Sequence, residues 1–211
     1  IRLNNKNILK NIKKSCIEFY KNKTVERINT YMIRNSLNDQ VNIINKYKVP
    51  KIKHLLSLID WKKICNPFPI IFHGDLQPEN IVIKKNKFIL LDWREDFGNQ
   101  IKYGDIYYDL AKLHHALIIT GKTIRENKFN ITISDKNNIK YKFKKRKHLI
   151  NYIKLMEKFL IDKGFDIKQL NIMSSLIFLN IAPLHHFPYS DLLYYHGKLS
   201  LFKALNGKKI V

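Results

Sequence analysis

The sequence predicts a mainly helical domain with one small β-hairpin, an α+β fold. Apolar residues make up 45% of the 211 residues, and Gly (7) and Pro (6) are both scarce. A chain of this length and apolar content can bury a sizeable core, which excludes a disordered protein. Few helix breakers, together with apolar residues at helical spacing, favour helices over a loop-rich sandwich of strands.

Leading helices are predicted up to residue 70. In the first of them, Ile8, Ile12 and Cys16 recur at helical spacing. Pro50 separates the last two, because the residue before a proline disfavours the helical conformation. The motif NPFP at residues 66–69 then ends the helical pattern. The predicted helices cover residues 8–20, 25–33, 40–47 and 52–61.

A β-hairpin is predicted after this break. The apolar runs Ile81-Val82-Ile83 and FILL at residues 88–91 flank the polar turn KKNK. Such a pair of short apolar runs around a polar turn is typical of a hairpin. Because apolar residues occupy successive positions, we expect burial on both faces.

The second half of the chain is predicted to be mostly helical. Asp105 is placed to cap a helix that runs to Thr120, with Gly121 as its stop. A weaker hairpin candidate, ITISD and YKFK around KNN, lies within residues 130–144. Further helices are predicted over residues 148–162, 167–181 and 189–205.

The formal net charge of +22 arises from 39 Lys and Arg against 17 Asp and Glu. Phosphate neutralisation by such a chain would favour nucleic-acid binding. The lysines, however, are spread along nearly the whole sequence rather than gathered on one face. The densest cluster, KYKFKKRKH at residues 140–148, is better explained as a solvated edge. We therefore do not expect nucleic acid as the partner, although some anionic partner fits this charge.

The remaining composition predicts a cytoplasmic protein. The apolar runs fall short of the ~20 residues needed to cross a bilayer, and no signal peptide opens the chain. Cys16 and Cys65 stand alone, without CxxC spacing, so two buried reduced thiols are expected rather than a disulfide or a metal site. The first residue is Ile1 rather than Met, which suggests a fragment of a longer protein.

Several acids surround the predicted hairpin. Asp75 and Asn80 lie in the loop before it, and Asp92 closes its second strand. With a tight turn, Asn80 and Asp92 fall roughly opposite each other, and facing residues lie about 4.5–5.5 Å apart. One amide and one carboxylate suit Mg²⁺, because proteins usually bind this ion through only one or two side chains. Asp96, in Asp96-Phe97-Gly98, lies about 13 Å past the strand end at ~3.3 Å per residue, so we favour Asp92.

Asp75 could accept the proton of an attacking hydroxyl while a metal holds phosphates, the division of labour in phosphoryl transfer. The alternative is structural: Asp75 caps a turn, Asn80 starts a strand and Asp92 ends one. Each acid taken alone favours that alternative. The ordered set HGD, Asn80, hairpin and LD favours a catalytic site.

FHGDLQPENIVI, FILLDWRE and YGDIYYDLAKL, in this order and spacing, resemble the aminoglycoside phosphotransferase and choline kinase superfamily, which is related to protein kinases. The resemblance covers residues 72–113. It implies that Asp75 is the catalytic base or positions the acceptor hydroxyl. It also implies that Asn80 and Asp92 bind the nucleotide as ligands of Mg²⁺. ATP, or another nucleoside triphosphate, would be the phosphoryl donor.

The resemblance also implies supporting residues. His73 would brace the catalytic loop, and Asp109 would hydrogen-bond the backbone of that loop. Helix capping alone accounts for Asp105. Trp93 is expected in the core or in the cleft. Arg94 could stabilise transition-state charge near the phosphates or pair with Glu79 or Glu95, and we favour the ion pair.

Residues 1–211 would then form a kinase-like C-terminal lobe. It comprises leading helices (1–70), the catalytic loop with the metal hairpin and following helix (71–121), and a helical acceptor-side part (122–211). Residues 1–70 show no Gly-rich loop and no strand with a phosphate-binding Lys. The N-terminal nucleotide lobe is therefore expected upstream or in a fused domain. The alternative functions are a catalytically silent regulatory module and a basic nucleic-acid binder.

A segment near the C-terminus is the candidate acceptor pocket. In LNIAPLHHFPYSDLLYYHGK, prolines interrupt a helix beside His185 and His186, and Tyr189 and Asp191 follow. These side chains can hydrogen-bond a small molecule with a hydroxyl group, such as a sugar, a polyol or a choline-like compound. An interhelical turn packed by aromatic residues accounts for the segment equally well. No third ligand completes a zinc site.

Overall fold

The computed structural model describes residues 6–135 and 137–210. Its helices and strands confirm a mainly helical α+β fold. The helices are α1 (Lys6–Cys16), α2 (Lys23–Arg34), α3 (Ile52–Ser57), α4 (Trp61–Ile64), α5 (Ile106–Ile118), α6 (Gly121–Arg125), α7 (Lys147–Asp162), α8 (Ile167–Ile181) and α9 (Tyr189–Leu205). The strands are β1 (Asn42–Ile44), β2 (Tyr47–Val49), β3 (Pro69–Ile71), β4 (Ile81–Lys84), β5 (Lys87–Leu90), β6 (Tyr103–Asp105), β7 (Phe129–Ser134) and β8 (Asn138–Phe143).

Helices α8 and α9 form the centre of the core. Most of their residues are buried, including polar ones, so neither helix has a continuous solvent-facing side. Gly197 allows their close approach, because a Cβ added there would lie 2.9 Å from Leu179 Cγ. Helices α2, α5 and α7 pack around this pair, and burial of their apolar faces supplies the main driving force for folding.

The helix predicted over residues 40–47 is wrong. This segment forms the antiparallel hairpin β1–β2, and β1 also pairs in parallel with β8. Asn45 and Lys46 have positive φ angles of 43° and 77°, which suit a two-residue hairpin turn. Asn45 also fixes the sheet, since its Nδ2 donates to Tyr141 O at 3.0 Å and its Oδ1 accepts from Tyr141 N at 2.9 Å.

Other predicted helices need smaller corrections. The helix predicted over residues 52–61 is divided into α3 and α4, because Asp60 caps a new turn by accepting from Lys63 N at 3.1 Å. Gly121 does not stop α5 as expected. It begins α6, which Thr120 caps. The helices predicted over residues 8–20, 25–33, 148–162, 167–181 and 189–205 are confirmed, although a π-helical turn, Ile17–Asn22, separates α1 from α2.

The hairpin β4–β5 is confirmed, with Ile81 facing Leu90 and Lys84 facing Lys87. Its expected burial on both faces is wrong. Ile83 is 70% exposed and Phe88 is 73% exposed. Within the described residues, its two strands pair only with each other. An exposed apolar surface of this kind is typical of an interaction site.

One described segment, Ile167–Leu184, is long and apolar enough to cross a membrane by length and composition, with a mean hydropathy of 1.2. Within the fold, however, 72% of this segment is buried. A core helix of a globular protein has the same length and composition, so the segment is weak evidence for a membrane span.

Candidate active site

The predicted catalytic loop, residues 72–80, begins where strand β3 ends. Strand β3 pairs antiparallel with β6, and β6 leads directly into α5, so the loop lies against the first turn of that helix. Asp109 in this turn accepts hydrogen bonds from His73 N at 2.8 Å and Gly74 N at 2.7 Å. Burial raises the pKa of the Asp109 carboxyl, and these two backbone donors act in the opposite direction. The carboxylate therefore shapes the loop by satisfying two buried amides.

Gly74 occupies a position that only glycine suits. Its φ of 81° is left-handed, and an added Cβ would lie 2.4 Å from Arg94 Cβ. Arg94 N donates to His73 O at 2.8 Å, which joins the loop to the chain leaving the hairpin. The loop before the hairpin and the segment after it are thus held side by side.

His73 lies buried beneath the loop. Its Nδ1 accepts from Asp75 N at 3.2 Å, and its ring lies 4.8 Å from the Trp93 ring. Its Nε2 is buried without a hydrogen-bond partner among the described residues. Trp93 is half exposed and donates to Leu90 O at 3.1 Å, so it covers the imidazole rather than joining the main core.

Asp75 forms polar contacts with three side chains. Asn80 Nδ2 donates to Asp75 O at 2.9 Å and to Asp75 Oδ2 at 3.1 Å. Gln77 Nε2 donates to the same carboxylate at 3.1 Å. Lys112 Nζ, from α5, lies 2.5 Å from Asp75 Oδ1. These contacts orient both carboxylate oxygens and leave Asp75 partly exposed.

Asn80 and Asp92 are not an exactly facing pair. Leu91 N donates to Asn80 O at 2.9 Å, so Leu91 is opposite Asn80 and Asp92 is one residue further on. Asp92 has a left-handed φ of 56°, which ends the regular strand at that residue. Its carboxylate has no hydrogen bond or ion pair within residues 6–135 and 137–210, and Asn80 Oδ1 has none either.

The segment that contains Asp96 is anchored by Phe97 and by a backbone contact. Phe97 is fully buried, and its ring lies 5.0 Å from that of Phe19 and 5.6 Å from that of Phe72. Arg94 Nε donates to Asp96 O at 3.1 Å. The expected ion pair of Arg94 with Glu79 or Glu95 is absent from the described part of the chain.

Asp105 is confirmed as the cap of α5, where it accepts from Tyr107 N at 3.4 Å. It is fully buried and also accepts from Phe68 N at 2.9 Å and from Tyr20 OH at 3.0 Å. Burial raises its pKa to about 7, partly offset by these donors. Cys16 and Cys65 nearby are free and buried, as expected.

Residues 35–130 match the model of the phosphotransferase enzyme family. The motifs at residues 72–113 lie wholly inside this match. Over these residues the chain is similar to the phosphotransferase enzyme family. The predicted resemblance to the aminoglycoside phosphotransferase and choline kinase superfamily is thereby confirmed, over slightly less than half of the sequence. Comparison of the chain with curated proteins and with solved structures gave no match.

The phosphotransferase segment opens onto a cavity on one side of Asp75. The cavity has a volume of about 460 Å³, and Asp75, Gln77, Lys112, His185 and Tyr189 are among its lining residues. The structure thus brings two residues of the predicted acceptor pocket to the same space as the predicted base. We refer to it as the acceptor cavity.

The other two predicted pocket residues lie elsewhere. Asp191 is buried and accepts from Tyr31 OH at 2.6 Å, so it links α9 to α2 in the core. His186 is exposed and does not line the acceptor cavity. The chain changes direction at the 3₁₀ turn Ala182–Leu184, between α8 and α9. Residues that are neighbours in this segment of the sequence therefore lie in different parts of the structure. 

Sequence reasoning missed Lys112, the cation of this phosphotransferase segment that touches Asp75. It lies three residues after Asp109 on α5, and residues three apart on a helix share a face. Since Asp109 was already placed against the loop, that spacing was a usable signal. The role of Gln77 had no comparable signal.

Proposed function

We propose that this chain is the helical lobe of a cytoplasmic phosphotransferase. It would transfer the γ-phosphoryl group of ATP, or of another nucleoside triphosphate, to a hydroxyl of a small molecule. Asp75 would be the base, and Asn80 and Asp92 would hold Mg²⁺. The observation that carries the proposal is the contact of Asn80 with Asp75 inside a segment of the phosphotransferase family.

The donor set suits the metal. Mg²⁺ is held by one or two carboxylates together with substrate phosphates, and the free oxygens of Asn80 and Asp92 offer one amide and one carboxylate. Bound there, Mg²⁺ would neutralise charge on the phosphates. Asn80 has a second function in this proposal, because its amide nitrogen holds Asp75 while its oxygen stays available.

The protein residues account for the remaining chemistry. The acceptor hydroxyl lies in the acceptor cavity and gives its proton to Asp75 as its oxygen attacks the γ-phosphorus. The bond from that phosphorus to the bridging oxygen breaks, and the nucleoside diphosphate leaves. Lys112 and Gln77 hold the carboxylate in place, so the main contribution of the loop is orientation.

An upstream lobe is part of the proposal. The exposed apolar hairpin β4–β5, with Ile83 and Phe88 in solvent, offers the surface on which a nucleotide lobe would close. Val82 and Ile89 on the same hairpin are also substantially exposed. Covering these side chains would remove apolar surface from water at about 25 cal/mol per Å².

The experiment is a phosphoryl-transfer assay on the longest natural form of the protein. Production of nucleoside diphosphate is followed with Mg·ATP and a panel of neutral sugars, phosphorylated sugars and other anionic alcohols, polyols and choline-like alcohols. Asp75→Asn should lower kcat by roughly 10²-fold or more, because general base catalysis contributes 10²–10⁴-fold. Asp162→Asn, an exposed acid on α7, is the matched control. Equal transfer by the Asp75 variant and the control would refute Asp75 as the base. No transfer by the unaltered protein would favour a silent module.

The metal site is tested separately. Binding of Mn²⁺, a paramagnetic substitute for Mg²⁺, is measured in the presence of nucleotide for Asp92→Asn and for Asp96→Asn. The Asp92 variant should bind Mn²⁺ more weakly, and the Asp96 variant should bind as the unaltered protein does. The opposite order would assign the metal to Asp96.

A further inference from the structure

A second cavity lies on the other side of Lys112. Its volume is about 190 Å³, and it lies between the π-helical turn, α2, α5 and α8. We name it the cationic cavity. Four cationic residues line it, namely Lys23, Arg27, Arg94 and Lys112. Its apolar wall includes Phe19, Met173, Leu176 and Ile177.

Two of these cations repel each other across one helical turn. Lys23 and Arg27 are four residues apart on α2, so they share a face, and like charges at this spacing destabilise a helix. Neither forms an ion pair with an acid in the described ranges. Lys23 Nζ lies 4.2 Å from the centroid of the Phe19 ring. The fold therefore places two half-buried positive charges against an aromatic wall.

The field in the cavity is positive. Burial, followed by Arg94 and Arg27, lowers the pKa of Lys23 to about 8, although Asp96 and Glu26 act in the opposite direction. Arg94 Cζ lies 4.9 Å from the centroid of the same Phe19 ring, so a third cation shares this wall. An anion in the cavity would offset a repulsion that Asp96 and Glu26 compensate only in part.

The cavity is placed next to the candidate active site. Lys112 lines both the cationic cavity and the acceptor cavity, and its Nζ contacts Asp75. Arg94 is joined to the catalytic loop through His73 O. The π-helical turn supplies Phe19 and Tyr20. Such turns are rare in proteins, and those that occur are often found at functional sites.

We propose that the cationic cavity binds an anionic group of the acceptor, a phosphate or a carboxylate attached to a small apolar body. Lys23 and Arg27 would contact the anion, and the wall of Phe19 and α8 would contact the apolar part. The further statement that this molecule presents its hydroxyl to Asp75 rests on the proposed phosphotransferase function. The acceptor class is therefore an anionic alcohol rather than a neutral sugar or a cationic aminoglycoside.

The test measures binding of simple probes by isothermal titration calorimetry at fixed ionic strength. Phenyl phosphate and benzoate represent the two anions, while phenol and inorganic phosphate represent the separate parts. At least one of the two aromatic anions should bind more tightly than phenol and inorganic phosphate, and the tighter one identifies the anion. The variant Lys23→Ala/Arg27→Ala should weaken that binding by roughly tenfold or more, since charge-assisted hydrogen bonds are the strong ones.

The matched control is Lys154→Ala/Lys158→Ala, two exposed lysines at the same spacing on α7. It should leave probe binding unchanged. Equal weakening in both double variants would mean non-specific attraction to a chain of charge +22, and would overturn the proposal. Loss of repulsion predicts that the Lys23/Arg27 variant unfolds at an equal or higher temperature than the unaltered protein, so weaker binding would not reflect misfolding.

Further measurements distinguish this anion site from a nucleotide site and from the proposed phosphotransferase function. Displacement of the bound probe by ADP would assign the anion site to the nucleotide and overturn the acceptor assignment. The variant Asp75→Asn should keep probe binding. Probe binding without any phosphoryl transfer would refute the phosphotransferase function and still support the anion site. Asp75-dependent transfer without probe binding would support the phosphotransferase function and overturn the anion site.

Discussion

Lys112 on α5 and Asp75 in the catalytic loop form an ion pair, with Lys112 Nζ 2.5 Å from Asp75 Oδ1. The Lys112 side chain is only 12% exposed and that of Asp75 is 29% exposed. The pair lies between the two cavities, so it connects the proposed base to both candidate parts of the acceptor site. Its role would be to orient a carboxylate that the solvent can still reach.

Lys112→Met is expected to impair catalysis more than folding. Loss of a hydrogen bond to a charged group costs about 1.5–3 kcal/mol, which predicts a fall in kcat of roughly 10- to 150-fold. The unfolding free energy should change by less than about 1 kcal/mol, because Asp75 remains partly solvated. Phosphoryl-transfer kinetics and urea unfolding measure the two effects.

Lys112→Arg should recover part of the lost activity, since it keeps the charge. Lys154→Met on the exposed face of α7 provides the comparison. If Lys112→Met matched Lys154→Met in kcat, the ion pair would have no role in orienting Asp75.

Asp109→Asn is expected to destabilise the catalytic loop. The carboxylate accepts from both His73 N and Gly74 N, whereas an amide offers one acceptor oxygen, so one buried N–H loses its partner. We expect the unfolding free energy to fall by about 1–3 kcal/mol. Urea unfolding measures this, with Asp162→Asn as the exposed control. No difference between the two variants would show that solvent can replace Asp109.

The contribution of Asp105 to stability should decrease as pH rises. Its pKa is raised from 3.8 to about 7, chiefly by burial, so the folded state retains a proton that the unfolded chain releases. The stabilisation is complete below about pH 4 and is lost as pH rises through about 7. The unfolding free energy of the protein minus that of Asp105→Asn should fall by at most about 1.4 kcal/mol per pH unit.

Urea unfolding between pH 5 and pH 8 measures this difference. Burial lowers the pKa of His114, His115 and His196 to about 4, 3 and 3. These histidines therefore destabilise the protein as pH falls, but they are common to both proteins and cancel. A difference that stays constant with pH would mean that Asp105 is ionised throughout this range.

Gly104→Ala is expected to be costly. An added Cβ would lie 2.7 Å from Phe72 Cγ and 3.0 Å from Phe72 Cβ, and Phe72 is buried. Overpacking of this kind costs about 1–3 kcal/mol. Gly121→Ala is the matched control, since its Cβ would meet the flexible ends of Arg125 and Glu79. Thermal unfolding compares them, and equal midpoints would show that Phe72 has room to move.

The sequence by itself determined the elements whose signals are local. The main helices follow from apolar residues repeated every three or four positions, and the cap at Asp105 lies at the start of its own helix. The hairpin β4–β5 follows from two apolar runs around one turn. The family resemblance also came from a short ordered stretch, residues 72–113. In each case the information lies within a few turns of the chain.

The tertiary structure decided pairing, exposure and the electrostatic partners. Residues 42–49 are strands because β1 pairs with β8, which is far away in sequence, and local propensity does not encode such a partner. The hairpin β4–β5 is apolar yet exposed, since burial depends on what packs against it. The contact of Lys112 with Asp75, and the grouping of Lys23, Arg27 and Arg94 around one cavity, likewise exist only after distant helices have packed together.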